Sequence, residues 1–199
     1  KKVLVTGATG FIGSWLTEDL VSKGAEVSVF VKKDDSLGID AIKNFKEKIK
    51  IFYGDVTQQN TISPAIRDQE VVLHLAASSQ VLHSIENPYN SLLVNTVGTA
   101  NLLEELRKIN SNQIFIFAST DKVYGEPKYL PIDEHHTLDA KSPYDASKLA
   151  ADRLAYSYFS TYGIDVSISR WSNTIGGRDA NYLRALPDFI TSLLNKLTL

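Results

Sequence analysis

A doubly wound α/β fold with a parallel sheet is the class this sequence predicts, and two observations predict it. Short apolar runs recur along the chain, each separated from the next by a stretch of helical periodicity. The first run, Val3-Leu4-Val5-Thr6, passes directly into Gly7-Ala8-Thr9-Gly10-Phe11-Ile12-Gly13 and then into a helical pattern from Ser14 to Ser22. Strand, glycine turn and helix in that order suit a dinucleotide. Three glycines permit a tight turn, close backbone approach to a pyrophosphate and close helix packing, and the helix N-terminus adds free N–H groups and a positive dipole end. The spacing is G-x-x-G-x-x-G, not G-x-G-x-x-G, so an ordinary glycine-rich turn is the alternative.

Composition sets the outer bounds. At 199 residues and 43% hydrophobic content the chain can bury one full core and begin a second domain. Its 21 basic and 23 acidic residues are well mixed and leave a net charge of -2. Such a balance offers no electrostatic footprint to nucleic acid or to an anionic membrane. No apolar run approaches the roughly 18 residues of a membrane span. A cytoplasmic protein with small-molecule partners is expected. The absence of cysteine excludes disulfides and thiolate chemistry. Methionine is absent too and the first residue is lysine, which suggests that residues are missing from the sequence.

Glu26 to Val31 reads as the second strand. It ends in Val31-Lys32-Lys33, where basic residues would accommodate a 2′-phosphate and favour NADP over NAD; solvated loop lysines are the alternative, because Asp34 and Asp35 follow. Ile49 to Tyr53 is the third strand, and Asp55 after it stands either to meet an adenine amino group or to cap a helix starting near Gln59. Val71 to Leu75 is the fourth, leading into Ala76-Ala77-Ser78-Ser79, small residues that let backbone pass close to a flat cofactor. His74 within it reads as a packed, hydrogen-bonded histidine. From Tyr89 to Ile109 apolar residues recur at helical spacing, with Leu93, Val97, Ala100, Leu103 and Leu106 on one face, and Gly98 inside it implies close packing.

The fifth strand, Ile114 to Phe117, delivers Ala118-Ser119-Thr120-Asp121-Lys122-Val123-Tyr124-Gly125. A loop from Glu126 to Lys141 follows, in which the adjacent His135 and His136 lack metal-ligand spacing and are expected to be exposed; no metal site is predicted. Pro143, with Ser142 as cap, opens a helix to about Tyr162, and Tyr144 and Lys148 share one face of it. Val166 to Arg170 is the sixth strand. Thr120, Asp121, Lys122, Tyr144 and Lys148 thus gather proton chemistry near the strand ends where such sheets bind ligands.

These residues resemble the short-chain dehydrogenase/reductases of the extended type that acts on nucleotide sugars. Gly7 to Gly13, Thr120 with Val123-Tyr124-Gly125, Tyr144-xxx-Lys148 and Arg170-Trp171-Ser172-Asn173 match in order along the chain. The resemblance implies a Rossmann domain over residues 1–178, with residues 179–199 as the beginning of a smaller substrate-binding domain truncated at Leu199. It implies a dinucleotide, NADP or NAD, held by Gly7, Thr9, Gly10, Phe11, Ile12, Gly13, Lys32, Asp55, Val56, Leu75, Ala76, Ala77, Tyr144 and Lys148. Tyr144 would be the acid/base, Lys148 the ligand of the nicotinamide ribose, and Thr120 their hydroxyl partner. A nucleotide-diphosphate sugar would meet Ser79, Asn95, Thr120 and Asn173. Helices near 89–109 and 143–162 correspond to those that form a homodimer in the family.

Thr120-Asp121-Lys122 looks like the sugar 4,6-dehydratases, and the stretch from Asn173 to Asp188 is similar to CDP-glucose 4,6-dehydratase, while the Lys32-Lys33 ending resembles the GDP-mannose dehydratases. By resemblance Lys122 is the base for C5 and Asp121 the acid for the 6-hydroxyl. Tyr144 can act as base only if its pKa falls from about 10, and Lys148 with a cationic nicotinamide would favour that. Asp121 and Lys122 would have to become neutral together, which desolvation by the sugar favours. A salt bridge securing the loop is the structural alternative for that pair. Two other functions stay open: a 4-epimerase or 4-reductase run by Tyr144, Lys148 and Thr120 alone, and a non-catalytic dinucleotide-binding module.

Overall fold

The computed structural model describes residues 1–109, 112–179 and 181–195. Six strands, β1 (Lys2–Thr6), β2 (Glu26–Val31), β3 (Ile49–Tyr53), β4 (Val71–His74), β5 (Ile114–Thr120) and β6 (Asp165–Trp171), form one parallel sheet in the order β3-β2-β1-β4-β5-β6. This is the doubly wound fold the sequence predicts. Side chains alternate across each strand, so Leu4 joins Phe30, Val72, Phe115 and Phe117 in one core while Val3 and Val5 join Val27, Val29 and Ile42 in the other. Burial on both faces explains why the strands read as continuous apolar runs. The strand order reverses between β1 and β4, which opens a crevice at their carboxyl ends.

Helix α1 (Phe11–Ser22) begins a turn earlier than the apolar pattern from Ser14 suggests, because Gly10, in an extended conformation, is its N-cap. Short α2 (Ser36–Ile39) and a 3-10 stretch (Asp40–Lys48) cross from β2 to β3, and α3 (Gln59–Ile66) from β3 to β4. The long helix expected over 89–109 is subdivided. After α4 (Val81–Glu86) come α5 (Pro88–Leu92), a π turn (Leu93–Val97) and α6 (Gly98–Ile109). The π turn shifts the register of the apolar stripe: Leu103 and Leu106 are buried as expected, Val97 is exposed, and Asn95 is turned inward. A Cβ at Gly98 would lie 2.8 Å from Val56 Cγ2, the close packing its glycine implies.

Helix α7 (Pro143–Tyr162) has the ends its sequence predicts. Ser142 Oγ accepts from the Asp145 N–H, the Asp145 carboxylate accepts from the Ser142 N–H, and Gly163 at φ 69° ends the helix. Within residues 179–199 the chain forms α8 (Ala185–Leu194), and residues 196–199 lie outside the described residues. No described helix is long and apolar enough to cross a membrane.

One expectation for the 126–141 loop is corrected. His135 is exposed, but His136 is buried, packed against the rings of Tyr124 and Tyr129. Its Nε2 accepts from the Lys128 N–H, so Nδ1 carries the proton and donates to the Thr137 carbonyl. The histidine organises the loop. Adjacency to a second histidine hid this, because the aromatic partners come from outside the pair.

Candidate active site

A cleft of about 680 Å³ opens at the carboxyl ends of the strands, and the glycine loop forms one wall. Each glycine there has a separate cause. Gly7 has φ +71°, and a Cβ on it would sit 2.7 Å from Ala76 N. At Gly13 a Cβ would lie 1.9 Å from the Gly7 carbonyl oxygen, so α1 could not pack as it does. Gly10 is different: its φ of -77° suits any residue, and a Cβ would meet only the Gly7 oxygen at 3.4 Å. The glycine there keeps the cleft wall low. Because Gly10 caps α1 without a side-chain hydrogen bond, the first-turn N–H groups are left for an anion. This cradle fits a dinucleotide pyrophosphate.

Thr9, Phe11, Ile12, Lys32, Val56, Leu75, Ala76, Ala77 and Ser79 line the cleft. Thr9 Oγ1 donates to Asp35 at 2.6 Å, and Asp35, weighed in the sequence only as a neighbour of Lys32 and Lys33, lies in the same wall. Asp55 is not among the lining residues. Its carboxylate accepts from the N–H and hydroxyl of Thr57 and pairs with Lys32 at 3.0 Å, so it does not cap α3, whose N-cap is Gln58. Burial raises the Asp55 pKa, but Thr57 and Lys32 outweigh it and hold the carboxyl below its ordinary value.

The other wall carries Thr120, Asp121, Lys122, Tyr144, Lys148 and Asn173. Strand β5 ends at Thr120, whose Oγ1 accepts from the Lys122 N–H and so starts a 3-10 turn (Asp121–Tyr124) that aims Asp121 and Lys122 at the cleft. Asp121 Oδ1 accepts from the Thr120 hydroxyl at 3.2 Å. Among the described residues, ion pairs involve neither Asp121 nor Lys122, so a loop-securing salt bridge between them is not formed.

Lys148, one turn after Tyr144 on α7, is 4% exposed, lies over the Phe117 ring at 4.3 Å and donates to the Ala118 carbonyl. Burial lowers its pKa to about 7, against an opposing pull from Asp152. The expected lowering of the Tyr144 pKa is not found in the protein's own groups. Burial and the Asp145 carboxylate push it up, and Thr120 and Arg184 pull it down without prevailing.

The partners in two buried networks escaped the sequence reading. In the first, Thr6 Oγ1 accepts from the Ala76 N–H and donates to His74 Nδ1 at 2.7 Å. His74 Nε2–H therefore donates to Thr99 Oγ1, which donates to the Asn95 carbonyl. Asn95, expected at the substrate, does not line the cleft. Its amide is buried, accepting from the Ser78 N–H and donating to the Ser78 carbonyl and to Ser147 Oγ, so it pins the β4 loop to α7. His74 is the packed histidine expected, with a pKa that burial first and Lys148 second lower to about 3. Its folded pKa lies below the unfolded value of about 6.5, so its contribution to stability is lost as pH falls through that window. Urea melts at pH 7 and pH 5 should show His74→Gln losing less stability on acidification than the parent; an equal loss would refute the assignment.

In the second network the Asp152 carboxylate, fully buried, takes two hydrogen bonds of 2.9 Å from Arg170 and one of 2.8 Å from Ser119 Oγ, while Arg170 also donates to Tyr124 Oη. Ser119 and Arg170 are paired across β5 and β6, one position before Thr120 and Trp171. The carboxylate thus fixes α7, β5 and β6 just below the reactive side chains.

Comparison with known proteins agrees with this layout. The sequence model for GDP-mannose 4,6 dehydratase matches residues 4–198. A putative UDP-glucose 4-epimerase of Methanocaldococcus jannaschii is 36% identical over 88% of this chain and 57% of its own length. The dTDP-glucose 4,6-dehydratase of Streptomyces antibioticus is 33% identical over 98% of this chain and 59% of its own. Among solved structures, the dTDP-glucose 4,6-dehydratase DesIV of Streptomyces venezuelae, with NAD bound, superposes with a TM-score of 0.93 at 29% identity, covering 100% of this chain and 64% of that one. The chain spans less than two thirds of each of these relatives. By sequence and fold the chain belongs to the NAD-dependent epimerase/dehydratase type of the extended short-chain dehydrogenase/reductases.

Proposed function

We propose that this chain carries the dinucleotide-binding and catalytic part of a nucleotide-sugar 4,6-dehydratase that uses NAD. The observation that supports this most directly is that Asp121 and Lys122 line the same cleft as Thr120, Tyr144 and Lys148. A bound nicotinamide dinucleotide supplies the acceptor for the sugar C4 hydride and its donor back to C6. Tyr144 takes the proton of the 4-hydroxyl, Thr120 orients the phenol, and Lys148 holds the nicotinamide ribose and favours phenolate. Lys122 removes the C5 proton made acidic by the neighbouring ketone, and Asp121 protonates the departing 6-hydroxyl, so that water leaves. One internal proton transfer prepares Asp121 and Lys122, and desolvation by the bound sugar favours that neutral pair.

NADP was the expectation from Lys32 and Lys33. Lys32 shares its charge with Asp55, and Asp35 places a carboxylate in the wall beside Thr9. A carboxylate there accepts from ribose hydroxyls and repels a 2′-phosphate, which supports NAD. Residues 179–199 would begin the sugar-binding domain, consistent with the exposed apolar side chains Phe189, Ile190 and Leu193 on α8. Exposed Tyr89, Leu92, Val97, Tyr156 and Phe159 on the α5–α6 and α7 faces support a homodimer.

The identity to a putative 4-epimerase supports a second reading, in which Tyr144, Lys148 and Thr120 do all the chemistry. Mass spectrometry after incubating the full-length protein with NAD and CDP-, GDP-, dTDP- and UDP-hexoses in deuterated water separates the two. Loss of one water with deuterium at C5 is expected. An unchanged mass with inverted configuration at C4 would replace the dehydratase by the epimerase.

A further inference from the structure

The segment leaving β6 does not end at the cleft. Trp171 to Thr174 line it, and the chain then reaches the outer face of α1. In the sheet β4 and β5 stand between β6 and β1. At roughly 4.8 Å per strand, the segment spans about 14 Å and crosses the carboxyl ends of both. It is a strap over the space between the glycine loop and the Thr120 wall.

What fastens the strap is specific. The Trp15 indole N–H donates to the Gly177 carbonyl at 2.8 Å. The Arg178 guanidinium lies over the Trp15 ring at 4.0 Å and pairs with Glu18, one turn further along α1. Gly176 lies against Phe11, where a Cβ would come within 3.3 Å of the ring. Arg178 itself has φ 67°, the left-handed region that glycine fills without strain. Two glycines precede it, so a third would have suited the backbone; an arginine held there points to a task for its side chain.

We propose that Trp15, Glu18 and Arg178 form a latch that holds this strap across the cleft and sets the rate at which the bound dinucleotide leaves. The inference rests on the dinucleotide reading above. It also suits the proposed cycle, in which the hydride returns to the sugar and the cofactor has no need to exchange between turnovers. The latch touches α1 through Trp15 and Glu18, one turn beyond Phe11 and Ile12, which line the cleft. Strap and pyrophosphate cradle are therefore fastened to the same helix.

The test loads the full chain with NADH and follows its fluorescence in a stopped-flow chase with excess NAD, for the parent and for Glu18→Gln, Trp15→Phe, Arg178→Ala and Arg178→Gly. Losing a charge-assisted contact should speed dissociation by about tenfold in Arg178→Ala and Glu18→Gln. Arg178→Gly should release as fast as Arg178→Ala although it relieves the backbone, which separates the side chain's role from the turn's. Trp15→Phe, keeping a ring without the N–H, should fall between. Dissociation rates within twofold of the parent in all four variants would overturn the latch. A parent that binds no NADH would overturn the dinucleotide reading instead.

Discussion

Replacing Tyr144 by phenylalanine should reduce sugar turnover by about 10²- to 10⁴-fold, the range that a positioned general acid/base contributes, while leaving dinucleotide affinity nearly unchanged. The phenol lines the cleft on the first turn of α7, within reach of Thr120 and one helical turn before Lys148. It is held above its ordinary pKa by burial and by Asp145, so the chain alone keeps it protonated at neutral pH. Turnover therefore depends on whatever shifts that balance toward phenolate. In the mechanism proposed above the Lys148 ammonium is one such influence, and it is only partly populated near pH 7. In Lys148→Met the acidic limb of the rate profile should move to higher pH, because phenolate loses a favouring cation. Steady-state kinetics across pH, with NADH binding as control, checks both variants. Full turnover in Tyr144→Phe would exclude it as the base, and an unmoved limb in Lys148→Met would leave the lysine a ribose ligand only.

The sheet and the cradle were legible because they rest on local patterns. A strand followed within one residue by glycines and a helix has few other uses, and the Ser142-Pro143 start marks the beginning of α7. What was not legible depends on contacts distant in sequence. Asn95 looked available to substrate until a π turn rotated it into the protein, where Ser78 and Ser147 consume its amide. Asp55 and Lys32 were each read against an expected ligand, and the ion pair between them came only with the fold. His136 is claimed by Tyr124 and Tyr129. Tyr144 was read for the charges near it, whereas burial, which no single residue reports, dominates its titration. Residue types and helical spacing identified the candidate groups that share the cleft; the partners that set their protonation came only with the fold.

Asp152 carries the second large effect. Its side chain is fully enclosed, and Arg170 opposite is 15% exposed, so the pair exists only because each neutralises the other. Asp152→Asn would leave a guanidinium with hydrogen-bond partners but no counter-charge, and breaking one side of a buried pair costs about 3–5 kcal/mol. At roughly 2–4 °C per kcal/mol in a domain of this size, thermal unfolding should move down by about 10 °C. Replacing both partners, as in Asp152→Leu with Arg170→Met, should recover part of that loss, since a buried pair is often no better than apolar groups of similar volume. The Ser119 and Tyr124 hydroxyls, each left without a partner, keep the recovery incomplete. Lys148 supplies a readout that stability alone does not. Asp152 is the group that raises the Lys148 pKa against burial, so in Asp152→Asn the lysine should lose its proton at lower pH than the parent's value of about 7. Because Lys148 binds its proton more weakly folded than unfolded, its contribution makes stability rise with pH from about 7 toward 10.5, and the variant should extend that rise below 7. Calorimetry at several pH values measures both effects. An unchanged unfolding temperature would show that Arg170 reaches water when Asp152 is lost, and that the network does not bear on the site above it.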